Sequence, residues 1–361
     1  MASPDNDAGT DSVAGTATKR RIPLWDNARF AAIFLVVVGH AILRLTPADG
    51  PASVLYLVVY QFHIPLLVLV SGYFAKSSLG RRELTRIVTD IAIPYFVFET
   101  IWTIVQWLVE GNDVVNYANP SWTLWFLLAL IGWRLLLPVL AVTRFPLAAA
   151  ALISIGAGYL GDIDQTFAIS RMLGLLPFFV LGWRLRTWEP GGRTLTSRWD
   201  DASRRGVIIV RVVAAALFAV VIVATALQLE TWRDLKIRRF LLFDEAYPFI
   251  GYDEWWAGLV RLAVLLLGAV LSVAFLTLLP RRTTWFTGFG SATMYVYLLH
   301  TFFLYPLRET GFIEDNASTW LLVVLLALSF GITVLLSTAP VRRLLRPLVE
   351  PRPNFLLGPE R

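Results

Sequence analysis

Residues 25–45 read WDNARFAAIFLVVVGHAILRL, an apolar run of membrane-spanning length that still holds Asp26, Arg29 and His40. A spanning helix needs about 20 mostly apolar residues. Hydrocarbon penalises all three polar side chains, so within such a run they are functional candidates by default. Similar runs recur down the chain, and that recurrence decides the fold class. Hydrophobic residues make up 57% of the 361, and mean hydropathy is +0.63. That is too apolar for a soluble domain with the usual charged fraction. The chain reads as an all-α integral membrane protein, a polytopic bundle of about ten transmembrane helices.

The apolar runs place spans at 28–45, 54–74, 88–109, 122–141, 145–160, 170–186, 206–228, 257–279, 290–307 and 319–338. Basic residues cluster in alternate loops: Lys19, Arg20 and Arg21; Lys76 with Arg81, Arg82 and Arg86; Arg144; the run from Arg184 to Arg205; Arg281 and Arg282; and Arg342 to Arg352. The loops between them carry Asp49, Glu110 and Asp113, and the acid-rich loop 229–256 departs from the trend with Arg233, Lys236, Arg238 and Arg239. About twenty cations on one side against about six on the other predict a cell-membrane protein with both termini cytoplasmic. Residues 1–21 are expected to be a disordered cytoplasmic tail, since MASPDNDAGTDSVAGTAT lacks the basic start and apolar core of a signal peptide. Residues 22–340 form the ten-helix domain, and 341–361 a cytoplasmic C-terminal tail. Loop 229–256 either covers an outer cavity or lies on headgroups.

Cysteine is absent, so disulfides, thiolate nucleophiles and Cys-ligated metals are excluded. No metal is expected. The formal charge of +6 fits loops beside anionic lipid better than it fits nucleic acid, and membrane lipids are the expected surroundings.

The chain has three histidines, and all fall at one depth. Eleven residues separate Arg29 from His40, which returns the helix to within ~20° of the same face after a rise of ~16 Å. Asp26 lies one turn before Arg29 on that face. His63, about ten residues into span two, and His300, about nine into span nine, reach the same level. A lone intramembrane histidine often does no more than hydrogen-bond a neighbouring helix. The shared stripe with Arg29 and Asp26 favours a chemical role for His40. Imidazole titrates near neutrality, so it can take a proton from a hydroxyl and return it to a leaving group. Ser71 lies at the far end of its span from any midplane histidine, which disfavours a Ser–His pair.

Other polar groups have two readings each. Glu99 either orients a histidine or closes a hydrogen bond between helices. Trp122 and Trp125 suit an aromatic belt as well as a sugar-stacking wall. Arg81, Arg82 and Arg86 follow the positive-inside pattern, yet with Arg29 they also suit a phosphate-bearing molecule arriving from the cytoplasm. Arg281 and Arg282 are placed to close the same inner mouth.

With these residues in view, the chain resembles the type-3 membrane acyltransferase family, in particular its fucose 4-O-acetylase-like branch. The resemblance rests on WDNARFAAIFLVVVGH with its Arg-x10-His spacing, on FHIPLLVLVSGYF, RRELTRIVTDIAIPYF and LWFLLAL, and on YVYLLH in a late span. It covers nearly the whole chain. It implies an acyltransferase moving an acyl group, usually acetyl from acetyl-CoA in the cytoplasm, to a hydroxyl of a sugar or other cell-envelope acceptor. His40 would be the catalytic histidine and Arg29 would position the CoA side. Ser71, Gly72 and Tyr73 would form a backbone turn near the inner face. Because the chain ends soon after span ten, the relay through an extra hydrolase-like domain found in some relatives is not expected. The competing reading is a proton-coupled transporter or exporter of a small polar metabolite, which midplane histidines also suit. A non-catalytic scaffold would leave the shared histidine depth unexplained.

Overall fold

The computed structural model describes residues 22–47, 50–188, 199 and 201–351. The predicted N-terminal tail 1–21, residues 352–361 of the predicted C-terminal tail 341–361, the loop cations Arg193 and Arg198, and Asp49 lie outside the described residues. Within them the chain is all-α, and each of the ten predicted stretches falls on helix. Seven helical segments are long and apolar enough to cross a membrane by length and composition.

Helix α1 (Pro23–Ile42) opens with proline in its first turn, where a missing N–H costs nothing. It is the axis of the bundle. Both α3 (His63–Tyr73) and α14 (Thr293–Glu309) pack on it, as do α16 (Thr319–Ser337) and the 3-10 turn Thr287–Ala292. Predicted span two is two helices, α2 (Gly50–Tyr60) and α3, broken at Gln61 and Phe62. Pro65 explains the break: its ring cannot share space with the carbonyl four residues back, at Gln61. The same effect acts at Pro94. Helix α4 (Arg81–Ile87) runs into a π turn, Val88–Ala92, which accommodates that proline at the head of α5 (Ile93–Glu110).

Helix α6 (Trp125–Ala141) and the short α7 (Pro146–Ala157) lead to α8 (Ile169–Thr187). The expected fifth span is short as predicted, whereas the sixth is of spanning length. The α3–α8 crossing is a close one. A Cβ on Gly72 would stand 2.0 Å from the Phe179 carbonyl oxygen, and one on Gly182 would stand 1.9 Å from that of Leu69. This is the small-residue packing that membrane helices use in place of a hydrophobic drive. It also corrects the expectation for Ser71, Gly72 and Tyr73. They form the last turn of α3 rather than a loop, and the glycine is needed for close approach, not for a turn.

Helix α9 (Arg204–Leu227) packs outside α2 and α13 (Ala257–Leu278), and most of its apolar side chains are exposed, as on a lipid-facing helix. Loop 229–256 folds into three short helices, α10 (Leu229–Asp234), α11 (Ile237–Leu242) and α12 (Tyr247–Ile250). After α14 come α15 (Phe312–Asp315), α16 and α17 (Ala339–Val349). The last puts a helix where a plain tail is expected. Its Arg342, Arg343 and Arg346 suit an anionic surface.

Candidate active site

Helix α1 organises the site along its length. At its amino end Arg29 meets Asp26 at 3.4 Å, and its guanidinium lies 4.1 Å from the centre of the Phe74 ring. Trp25 stacks on Tyr73 at 3.7 Å, tying this end to the last turn of α3. A cavity of about 200 Å³ opens here, lined by Arg29, Ile33, Ser71, Arg134, Thr293 and Tyr297 among others. Arg29 and Ser71 line the same cavity, although the Ser71 hydroxyl donates to its own helix at Leu67. Arg81, Arg82 and Arg86 stand exposed on α4 and do not line the cavity. Arg134, inside apolar α6, takes the position that sequence reasoning gives to them.

Asn27, fully buried, holds the loop that carries Arg281 and Arg282. Its amide donates to the carbonyls of Pro280 (2.8 Å) and Arg282 (3.2 Å), and its oxygen accepts from the hydroxyls of Thr284 (3.2 Å) and Thr287 (2.7 Å). Gly290 then seats against the Asp26 backbone, where a Cβ would stand 2.2 Å from the carbonyl oxygen. The clamp thus fixes the loop that carries Arg281 and Arg282, although neither residue lines the cavity they are expected to close.

Higher on α1, His40 is half-buried and faces the bundle interior. Its ring centre lies 5.4 Å from that of His300, which is fully buried on α14. His300 Nδ1 lies 2.9 Å from the carbonyls of both Val296 and Tyr297. Carbonyls only accept, so Nδ1 holds the proton and Nε2 presents a lone pair. Nε2 is buried with no hydrogen-bond partner. His63 uses its Nδ1 on the Val59 carbonyl (2.8 Å), which also accepts from the Phe62 N–H (3.1 Å), and packs edge-on to Tyr60 at 4.5 Å. Tyr60 in turn fills the space beside Gly39, where a Cβ would stand 2.9 Å from the ring. Two histidines therefore face each other, and the third is one aromatic ring away from α1.

Two arginines, Arg171 and Arg308, are near enough to act electrostatically on His40. Each of these arginines sits over a tryptophan already singled out from sequence. Arg308 is 3.9 Å from the centre of the Trp122 ring, and Arg171 is 4.9 Å from that of Trp125 while paired with Asp244 at 2.8 Å. Such contacts are worth ~0.5–2 kcal/mol and fix both partners. Glu99 reaches no histidine. Its carboxylate accepts from the Ser121 N–H (2.9 Å) and the Ser121 hydroxyl (2.6 Å), which pins the neighbouring Trp122 in a left-handed backbone conformation, φ 52°. A non-glycine residue there costs ~1–3 kcal/mol and needs such support. Polar atoms without partners gather nearby: Trp102 Nε1, Thr123 Oγ1 and His300 Nε2. The Tyr297 hydroxyl donates to the Thr123 carbonyl, joining α14 to this wall.

The cavity at the Arg29 end rises only as far as Ile33 and Tyr297, so Tyr297 separates it from the histidine pair one turn further along α14. The site therefore has a cationic cavity at one end of α1, an imidazole pair beyond Tyr297, and an arginine–tryptophan wall at the other end. Imidazole with a free lone pair can move a proton. Guanidinium groups can stabilise an oxyanion or hold a phosphate. Arg134, Arg171, Arg308 and Asn27 escape the sequence reading. The available signal for Arg171 and Arg308 is their place at the end of an apolar run on the side poor in cations.

Residues 22–338 match the family described as "Acyltransferase domain". The nodulation protein NolL of Mesorhizobium japonicum is 26% identical over 180 residues, which is 46% of this chain and 48% of that protein. NolL of Sinorhizobium fredii is 26% identical over 168 residues, 42% of this chain and 44% of its own length. The chain thus spans about half the length of the curated relatives it matches. No solved structure matches it.

Proposed function

The chain belongs to the acyltransferase-domain family, and from that premise we propose that it transfers an acyl group, acetyl in the simplest case, from acyl-CoA to a hydroxyl of a glycan or other envelope acceptor, in the cell membrane. Ten crossings with both termini cytoplasmic would put the Arg29 end inside. The donor's phosphates would meet Arg29, Arg134, Arg281 and Arg282. Its acyl–pantetheine arm would pass Tyr297 toward His40, a helix rise of ~16 Å from Arg29. The acceptor would come from the opposite end, against Trp122 and Trp125, where its hydroxyls would satisfy Trp102 Nε1 and Thr123 Oγ1.

In the reaction His40 takes the proton of the acceptor hydroxyl as its oxygen attacks the thioester carbonyl. A C–O bond forms and the carbonyl becomes an oxyanion, which the Arg308 charge stabilises. The oxyanion collapses, the C–S bond breaks, and the thiolate recovers the proton from the His40 imidazolium. His300, packed against His40, would hold its ring in place. The observation supporting this reading most is the facing pair itself: half-buried His40 against a histidine whose tautomer its own helix fixes.

The test is to give the purified full-length protein labelled acetyl-CoA. Slow release of CoA, with label passing to added envelope glycans, is expected. The carrier reading makes the opposite prediction: flux of a solute across sealed vesicles with acetyl-CoA untouched.

A further inference from the structure

A second cavity, about 340 Å³, opens at the other end of α1 beneath α10 and α11, and its size lies within the range of small-molecule sites. Thr46, Ser53, Tyr56, Arg233, Lys236 and Arg238 line it, along with Arg239. Two of the four cations are matched by carboxylates. Arg233 pairs with Glu230 at 2.8 Å and also donates to the Ser53 hydroxyl at 3.0 Å, while Arg239 pairs with Glu245 at 2.6 Å. Lys236 and Arg238 have no carboxylate partner among the described residues. The Lys236 ammonium donates to the Ile250 carbonyl at 2.9 Å, which leaves it other protons to give. The Arg238 guanidinium lies 5.3 Å from the centre of the Tyr56 ring.

Tyr56 is the second observation. It is 2% exposed, and its hydroxyl sits between Tyr60 and Arg238 without a hydrogen bond of good geometry to either. Leaving a buried hydroxyl unpaired costs ~1–3 kcal/mol, a cost removed when a ligand supplies the partner. Three donors of different kinds thus face one cavity: a forked guanidinium, an ammonium and a phenol. Two positive charges there remain uncompensated. A phosphate monoester carries about −1.5 to −2 charge and three acceptor oxygens, which matches both counts.

We propose that this cavity binds a phosphate-bearing group of the acceptor through Arg238, Lys236 and the Tyr56 hydroxyl. The proposal rests on the acyl-transfer reading only in naming the ligand as acceptor. The packing connects the two places. Tyr56 stacks on Tyr60 at 3.8 Å, and Tyr60 touches both Gly39 and His63. Thr46 is six residues beyond His40, two in α1 and four in the turn that follows it, roughly 10 Å along the axis. An acceptor whose reactive hydroxyl lies about that far from its phosphate would present it to the imidazole. The phosphate could belong to a soluble sugar phosphate or to the headgroup of a lipid-borne acceptor.

The test uses full-length protein in phosphatidylcholine nanodiscs with labelled inorganic diphosphate as probe. Saturable binding is expected. Arg238→Ala should weaken it about tenfold or more, the loss of one charge-assisted hydrogen bond. Tyr56→Phe removes a hydroxyl that makes no hydrogen bond of good geometry within the protein, so it should fold normally and still bind several-fold more weakly. Displacement by glucose 1-phosphate assigns the soluble source, and displacement on adding phosphatidic acid, a lipid phosphate monoester, assigns the lipid source; either supports the site. No saturable binding, or equal binding by wild type and Arg238→Ala, overturns it. Acetyl-CoA hydrolysis in the same discs separates the two ideas. Hydrolysis without diphosphate binding sinks only the anion site, and binding without hydrolysis sinks only the acyl-transfer reading.

Discussion

Asn27→Ala tests how the donor end is built. Asn27 is fully buried and makes four hydrogen bonds, all to the segment 280–287. Two are short, at 2.7 and 2.8 Å, and two are long, at 3.2 Å. At ~1 kcal/mol net for each good bond and less for the long ones, the loss comes to about 3 kcal/mol. For a chain of 361 residues, with an unfolding entropy of ~2 cal/mol/K per residue, that lowers the thermal midpoint by about 4 °C. The loop that holds Arg281 and Arg282 also loses its anchor on α1. The Michaelis constant for acetyl-CoA should therefore rise several-fold, while the turnover number changes less, because His40 lies about 20 Å of helix rise away. Thermal denaturation in detergent and steady-state release of CoA read the two effects. A variant with an unchanged midpoint and unchanged acetyl-CoA dependence would refute the clamp and the place of this loop in donor binding.

Gly72→Ala puts a Cβ 2.0 Å from the Phe179 carbonyl oxygen, so α3 and α8 must separate at a cost of about 3 kcal/mol or more; a marked fall in folded yield and thermal midpoint is expected, and Gly182→Ala should match it. Arg134→Ala removes a cation from the cavity lining and should raise the Michaelis constant for acetyl-CoA about tenfold with a smaller change in turnover. His300→Ala takes away the imidazole packed against His40 and should lower turnover by a factor of about 10–100 while leaving donor affinity near its original value; rates measured at saturating and limiting acetyl-CoA separate the two.

Much of the frame is legible in the sequence because lipid imposes simple rules. Long apolar runs must be helices, and the Arg29–His40 spacing puts both on one face before any coordinates exist. His300 is also legible by depth, and the structure sets it against His40. What escapes depends on partners distant in sequence. Asn27 looks like an ordinary polar residue near a helix start, and only the loop 280–287 gives it meaning. Arg134 falls inside an apolar segment, where counting loop charges passes over it. Arg81, Arg82 and Arg86 look like a cationic mouth in the sequence, but α4 carries them to the exposed surface. Glu99 has the burial expected of a histidine partner, yet the loop before α6 brings Ser121 to it first. The Ser71–Tyr73 segment reads as a turn until the proximity of α8 supplies the reason for its glycine.

The central claim is that the imidazole at position 40 moves the proton during acyl transfer. It is tested most directly by comparing CoA release and acceptor labelling by wild type and His40→Asn, each shown to be folded by an unchanged thermal midpoint. Asparagine keeps a polar side chain but cannot take up a proton near neutral pH, so the rate should fall by a factor of about 10²–10⁴. A rate within a few-fold of wild type would contradict the account.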